Sequence, residues 1–215
     1  MLWGTKCLFI VAVCGFCGAY ADSSGKGVVA DTTSFVLVKQ DNGISLYERW
    51  YPIKPTQKAR EIKAMFKVKT DCLAAIDLIR DESQGRKWNK NTEAYKVIPQ
   101  NDNVWFGYIQ YDLPWPVSDQ DCVLQYNKNF SGNSMSIEFR GANHPSFPVH
   151  KRIQRIGEIN GKWIFTEQDN EILVEYYIST TPSSTLPAWL TDPIIRNNLI
   201  ETLLSFRQIL EHPET

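Results

Sequence analysis

Beyond its first 21 residues the sequence is poor in cysteine. Of five cysteines in 215 residues, Cys7, Cys14 and Cys17 sit in an apolar run at the N-terminus, so the body of the chain keeps only Cys72 and Cys122. Two cysteines so far apart make no disulfide framework. An oxidising compartment would permit a bond between them, and a pair of small buried apolar residues is the commoner outcome. Basic runs are missing too, so nothing neutralises a row of phosphates, and nucleic acid is not an expected partner. The three histidines, His144, His150 and His212, lack metal-ligand spacing. There is no G-x-S-x-G, no glycine-rich phosphate loop and no reactive-cysteine context, which removes the commonest signatures of hydrolases and nucleotide enzymes. No cofactor is expected. No repeat, low-complexity tract or linker divides the chain.

What is present begins with Lys6, the apolar run Cys7 to Phe16, and Ala19-Tyr20-Ala21. The run is shorter than the roughly 20 residues a spanning helix needs. It reads as a secretory signal peptide cleaved after Ala21, which sends the protein to the periplasm or outside the cell. Val13 and Phe16, the residues before Cys14 and Cys17, are not the small residues that precede a lipid-attachment site. The expected organisation is a signal over 1–21, a flexible segment over 22–32 and one domain over 33–215. Losing Lys6 lowers the basic residues from 23 to 22 against 24 acidic ones, a net charge of -2.

Periodicity outlines that domain. Asn42-Gly43 predicts a turn before a strand containing Ile44, Leu46 and Tyr47. Ile62, Ala64, Phe66 and Val68 alternate with lysines, which predicts a strand with one buried and one wet face. Asp71 or Thr70 caps a helix that carries Cys72, Ala75, Ile76 and Ile79 on one side and ends near Gly85. Short strands are expected at 93–99, 103–113, 121–128, 134–141, 151–158, 162–168 and 171–180, with hairpin turns at Asn160-Gly161 and Asp169-Asn170. A last helix starts with Asp192 as N-cap and Pro193 at its first position. Its stripe of Ile195, Leu199, Leu203, Phe206 and Leu210 must lie on something apolar, and the sheet is the available partner.

Between two of these strands lies "YIQYDLPWPVSDQDCVLQYN". Pro114 and Pro116 cannot donate to a ladder, so they end the pairing. Trp115 can cover the sheet edge, and Ser118, Asp119 and Asp121 can accept backbone N–H groups where the next strand starts. The preferred reading is an edge-protecting bend without chemistry. The sharper alternative is that Asp119 and Asp121, two apart and on one side of an extended chain, share a proton or bind a metal.

"PWPVSDQDCVLQY" resembles the proline-tryptophan-proline and serine-x-x-aspartate signature of START domains, lipid-transfer modules with the helix-grip fold. "HPSFPVHKRIQRI" is similar to that family's mobile loop followed by its arginine-bearing strand, with Arg155 at the arginine position. "STLPAWLTDPIIRNNLIETLLSFRQIL" resembles its entry into the C-terminal helix. The likeness covers about residues 33 to 211 in the right order. It implies an α+β helix-grip fold: a curved antiparallel β-sheet wrapped around a long C-terminal α-helix, with an internal hydrophobic cavity for a lipid or sterol-like molecule. The partner implied is thus a hydrophobic small molecule, with transient membrane contact, taken up by a monomer that is not an enzyme. A cyclase or aromatase-like use of the same cavity is the alternative.

Two departures from the family pattern stand out. Several eukaryotic members hold an arginine and a carboxylate as a pair inside the cavity, and the matching positions here are Tyr126 and Gly107. The resemblance therefore implies a cavity without a buried charge pair. Export is the second departure. With Gly107 and Tyr126 as anchors, alternation carries Trp105, Ile109 and Tyr111 inward from one strand and Cys122 and Leu124 from the next, facing Leu199, Leu203 and Phe206. Phe147, a large apolar residue on a proline-flanked loop, is the expected lid.

Overall fold

The protein is represented by a computed structural model that describes residues 34–55, 57–113, 118–181 and 188–213. The signal peptide expected over 1–21, the segment 22–32 and the heart of the elbow, 114–117, lie outside the described residues. Asn42 and Gly43 hold φ of 47° and 77°, the left-handed pair a two-residue hairpin requires. They join β1 (Val36–Asp41), a strand the sequence pattern does not announce, to β2 (Ile44–Lys54). β3 (Gln57–Val68) then buries Ile62, Ala64, Phe66 and Val68 on one face.

Asp71 caps α1 (Cys72–Arg80) by accepting from the Ala74 N–H at 2.8 Å. The helix does not run on to Gly85. It stops at Asp81, whose carboxylate accepts from the N–H groups of Ser83 and Gln84 and so starts a second helix, α2 (Glu82–Trp88). A residue that caps so well breaks a continuous helix in two.

The chain then winds through β4 (Thr92–Pro99), β5 (Val104–Tyr111), β6 (Gln120–Ser131), β7 (Ser134–Gly141), β8 (Gln154–Arg155), β9 (Ile159–Gln168) and β10 (Glu171–Thr180). The strand order is β1-β2-β3-β10-β9-β7-β6-β5-β4, antiparallel throughout, while β8 pairs with the start of β6 in parallel. Of the strand expected over 151–158, only Gln154–Arg155 pairs, because the chain there returns to β6 as a loop. The expected turn at Asn160-Gly161 is also absent. Both residues lie within β9, opposite Ser179 and Ile178 of β10. Glycine is needed there for space: a Cβ at 161 would stand 2.5 Å from the Phe139 ring and 2.0 Å from the Tyr177 carbonyl oxygen. Asp169, at φ 55°, does make the β9–β10 turn.

α3 (Ala188–Glu211) begins before the expected cap and carries Pro193 inside it. Asp192 does not cap the helix, because its carboxylate faces two arginines described below. Ile200, Leu203 and Phe206 are buried at the centre of the stripe, with Leu199 and Leu210 at its flanks, while Ile195 is 39% exposed. These side chains meet the inner face of the sheet, where Trp88, Trp163 and Phe206 pack ring to ring with centroids 5.2 to 6.4 Å apart. The result is a curved sheet around a long helix.

Candidate ligand cavity

Strand alternation separates the two faces of β5 and β6. Trp105, Ile109, Cys122, Leu124 and Tyr126 belong to the main core, while Phe106, Tyr108 and Val123 form a small cluster on the other face. On the inner side a cavity of about 340 Å³ opens between sheet, α2 and α3. Ile109, Tyr111, Cys122, Leu124, Tyr126, Leu199 and Leu203 line it. Trp105, Gly107 and Phe206 stand behind that lining. Trp105 stacks on the Tyr126 ring at 5.1 Å and 7°. Gly107 lets that ring lie across β5, since a Cβ there would come within 2.8 Å of it. Phe206 is buried against Trp163, itself a lining residue. A second hollow, on the outer face, is bordered by Glu61, Gln125, Glu138, Arg140 and Lys162, a polar rim that suits water better than an apolar ligand.

Phe147 does not border the cavity. It lies on the opposite face of the sheet, stacked on Tyr108 at 4.7 Å and 10°, so a lid at this residue would close nothing. Its loop is fastened by a buried ion pair. The Arg155 guanidinium donates to both Asp121 oxygens at 2.6 and 2.9 Å, and to the carbonyls of Phe147 and Pro148. The hydrogen bond to Asp121 raises the already high Arg155 pKa. Asp121 is therefore committed to an arginine, and Asp119 is exposed, so the two do not act as a pair. Among the described residues no group of three or more His, Cys, Asp or Glu could hold a metal.

The wall contains polar residues that the alternation argument missed. Arg60 and Asp192 line the cavity, 3.0 Å apart. Arg60 also reaches Glu48 at 2.5 Å, and Arg196 donates to Glu48 at 2.8 and 2.9 Å. Burial works against ionisation of Glu48, yet the hydrogen bonds and charges of Arg196 and Arg60 outweigh it and hold its carboxyl below the usual glutamate range. This network of two arginines and two carboxylates corrects the expectation of a cavity without buried charge. Its signal was available, because Arg60 lies two residues before Ile62 on the buried parity of β3. Tyr176 and Trp163 complete the wall from β10 and β9, beyond the reach of alternation along β5 and β6.

Burial also shifts the cavity's titrating groups. It raises the hydroxyl pKa values of Tyr111, Tyr126 and Tyr176 and pushes the Cys122 thiol up to about 12. Cys72 and Cys122 are free and buried, which leaves inert thiols and no disulfide.

No family model matches the sequence. An uncharacterised protein of Pseudomonas aeruginosa is 23% identical over 179 residues, spanning 81% of this chain and 86% of that protein. A solved STAR-related lipid transfer protein of Xanthomonas axonopodis superposes with a TM-score of 0.72 at 23% identity, over 83% of this chain and 99% of the other. The Zhui aromatase/cyclase of Streptomyces sp. R1128 superposes with a TM-score of 0.52 at 10% identity, over 71% of this chain and 94% of the enzyme. Strand order, the long closing helix and these superpositions agree: the chain has the helix-grip fold of START domains.

Proposed function

We propose that this chain binds a hydrophobic small molecule, a lipid or sterol-like compound, in the cavity under α3 and carries it outside the cytoplasm with transient membrane contact. The observation that supports this reading is the cavity itself, about 340 Å³ of space walled by Ile109, Leu124, Ile178, Leu199 and Leu203. Close-packed interiors do not leave such a volume. The likeness to the Xanthomonas STAR-related lipid transfer protein supports the same reading. Burying about 400 Å² of ligand at about 25 cal/mol per Å² would contribute on the order of 10 kcal/mol before association costs. Export rests on the Cys7–Phe16 run and Ala19-Tyr20-Ala21, and predicts Asp22 as the mature N-terminus by protein sequencing.

Native mass spectrometry of the purified protein should show a bound apolar compound that organic extraction removes. Leu203→Trp should abolish that species while the melting temperature stays within a few degrees. In a close-packed interior the same change would cost about 1–3 kcal/mol, and no ligand would have been present to lose. The likeness to an aromatase/cyclase supports a second reading, with the cavity acting on a polyketide-like chain. Turnover of such a compound by the purified protein would favour it.

A further inference from the structure

The cavity wall holds polar groups of two kinds, and they differ in what they leave open. The charged ones, Arg60 and Asp192, are balanced within a network that continues behind the wall to Glu48 and Arg196. Arg60 and Arg196 are matched by Glu48 and Asp192, in contacts of 2.5 to 3.5 Å. The Arg60 Nε–H has no partner, but its guanidinium charge is already balanced, so a ligand carboxylate or phosphate would have to compete with a buried carboxylate for that arginine. A ligand ammonium meets the same obstacle in reverse.

The uncharged groups are not all matched. Tyr111 accepts from the Asn89 side chain at 3.3 Å, and Tyr95, behind it, donates to the Ile79 carbonyl at 2.8 Å. The hydroxyls of Tyr126 and Tyr176 have no hydrogen-bond partner among the described residues. Both residues line the cavity, and both rings flank Phe139, at 5.7 and 6.1 Å. Packing fixes where they point: Tyr126 stacks on Trp105 above Gly107, and Tyr176 lies 4.3 Å from Trp163. Trp88, on the same wall, has an indole N–H without a partner. Hydroxyls held in their protonated form by burial, together with an indole N–H, can all donate. The Trp88 N–H is buried and unpaired, and the two hydroxyls stand on the cavity wall with no protein hydrogen bond among the described residues, so the group that completes these bonds is an acceptor.

Resting on the lipid-carrier reading, we infer that the ligand is an uncharged lipid with a hydrogen-bond-accepting oxygen, a ketone, ester or hydroxyl, seated between Tyr126 and Tyr176. Fatty acids and phospholipid head groups are disfavoured by the balanced charges, and plain hydrocarbons by the unpaired donors.

The test displaces an environment-sensitive apolar dye from the full mature chain at pH 7.5 with four probes of one chain length: 2-dodecanone, 1-dodecanol, dodecanoate and dodecane. The ketone and alcohol should bind about tenfold or more tightly than the acid and the alkane, the order of one buried hydrogen bond. The Tyr126→Phe/Tyr176→Phe double variant should lose that preference and still bind dodecane. If the double variant misfolds by circular dichroism, each single Phe variant should lose part of the preference. Equal or tighter binding of dodecanoate, or a preference that survives the Phe variants, overturns the inference. If all four probes bind alike, the carrier reading stands and this inference falls. If none binds, both fall.

Discussion

Two sets of buried charges lie on opposite faces of the sheet and are finished differently. On the outer face, Asp121 is 1% exposed and receives a two-pronged hydrogen bond from Arg155, whose remaining donors reach the Phe147 and Pro148 carbonyls. Every strong donor there has an acceptor, and the product is a loop pinned to the sheet. On the inner face, Arg60 bridges Glu48 and Asp192 but keeps an Nε without a partner, and Arg196 remains 26% exposed. The inner network is neutral overall yet incompletely satisfied, and it borders empty volume. Buried ion pairs add little stability over well-packed apolar residues, so where they persist their other consequences matter. Outside, that consequence is the attachment of residues 142–153. Inside, it is a cavity wall whose charges balance.

Removing one partner of the outer pair should have the largest effect. Asp121→Ala leaves the Arg155 guanidinium uncompensated, a loss of about 3–5 kcal/mol by urea unfolding, with faster hydrogen exchange over 142–153. A loss under about 1 kcal/mol would mean that Arg155 finds water at once and that the pair does not hold the loop.

The inner network should give way more gently and change what the cavity accepts. Glu48→Gln removes the carboxylate that both arginines share. The expected cost is about 1.5–3 kcal/mol, the range for hydrogen bonds to charged groups, because Arg196 can turn to solvent. One guanidinium is then free, so dodecanoate should gain affinity while 2-dodecanone does not. No gain for dodecanoate would show that charge balance does not set the selectivity.

The same contrast explains how much was legible in the sequence. Alternation placed the β5 and β6 side chains on their faces because each strand buries one parity, and three separated motifs carried the fold. What failed were residues with two competing local uses. Asp192-Pro193 has the composition of a helix start, but two arginines that are distant in sequence recruit the aspartate. Asn160-Gly161 has the composition of a turn, but Phe139 needs the space above the glycine. Asp81 ends one helix and caps the next, yet a cap inside an apolar pattern looks like a solvent-facing helix residue. The size and loop position of Phe147 suggest a lid, but neither reports which face of the sheet a loop covers.

That last residue gives a smaller effect that sharpens the division between faces. Phe147→Ala removes a ring stacked on Tyr108, worth about 0.5–1.5 kcal/mol. Dye affinity and displacement by 2-dodecanone should stay at the wild-type level, since the ring borders no part of the cavity. Slower ligand exchange in this variant would return Phe147 to a gating role.

The smallest effect expected is a change in acid sensitivity, and its sign follows from Glu48. Burial raises its pKa, but the hydrogen bonds and charges of Arg196 and Arg60 outweigh burial, so the folded value lies below the ordinary one of 4.5. A carboxyl with a depressed folded pKa contributes stability that is fully present above the unfolded value and is lost as pH falls through the folded one. Below about pH 4.5 the unfolded chain binds a proton that the native network refuses, and each further step in acidity favours unfolding. Glu48→Gln cannot take up that proton. Urea unfolding from pH 7 to pH 3 should therefore show the wild type losing stability more steeply than Glu48→Gln below pH 4.5, with the two curves converging. Parallel curves would mean that Glu48 titrates alike in both states, and that the arginines do not hold its charge.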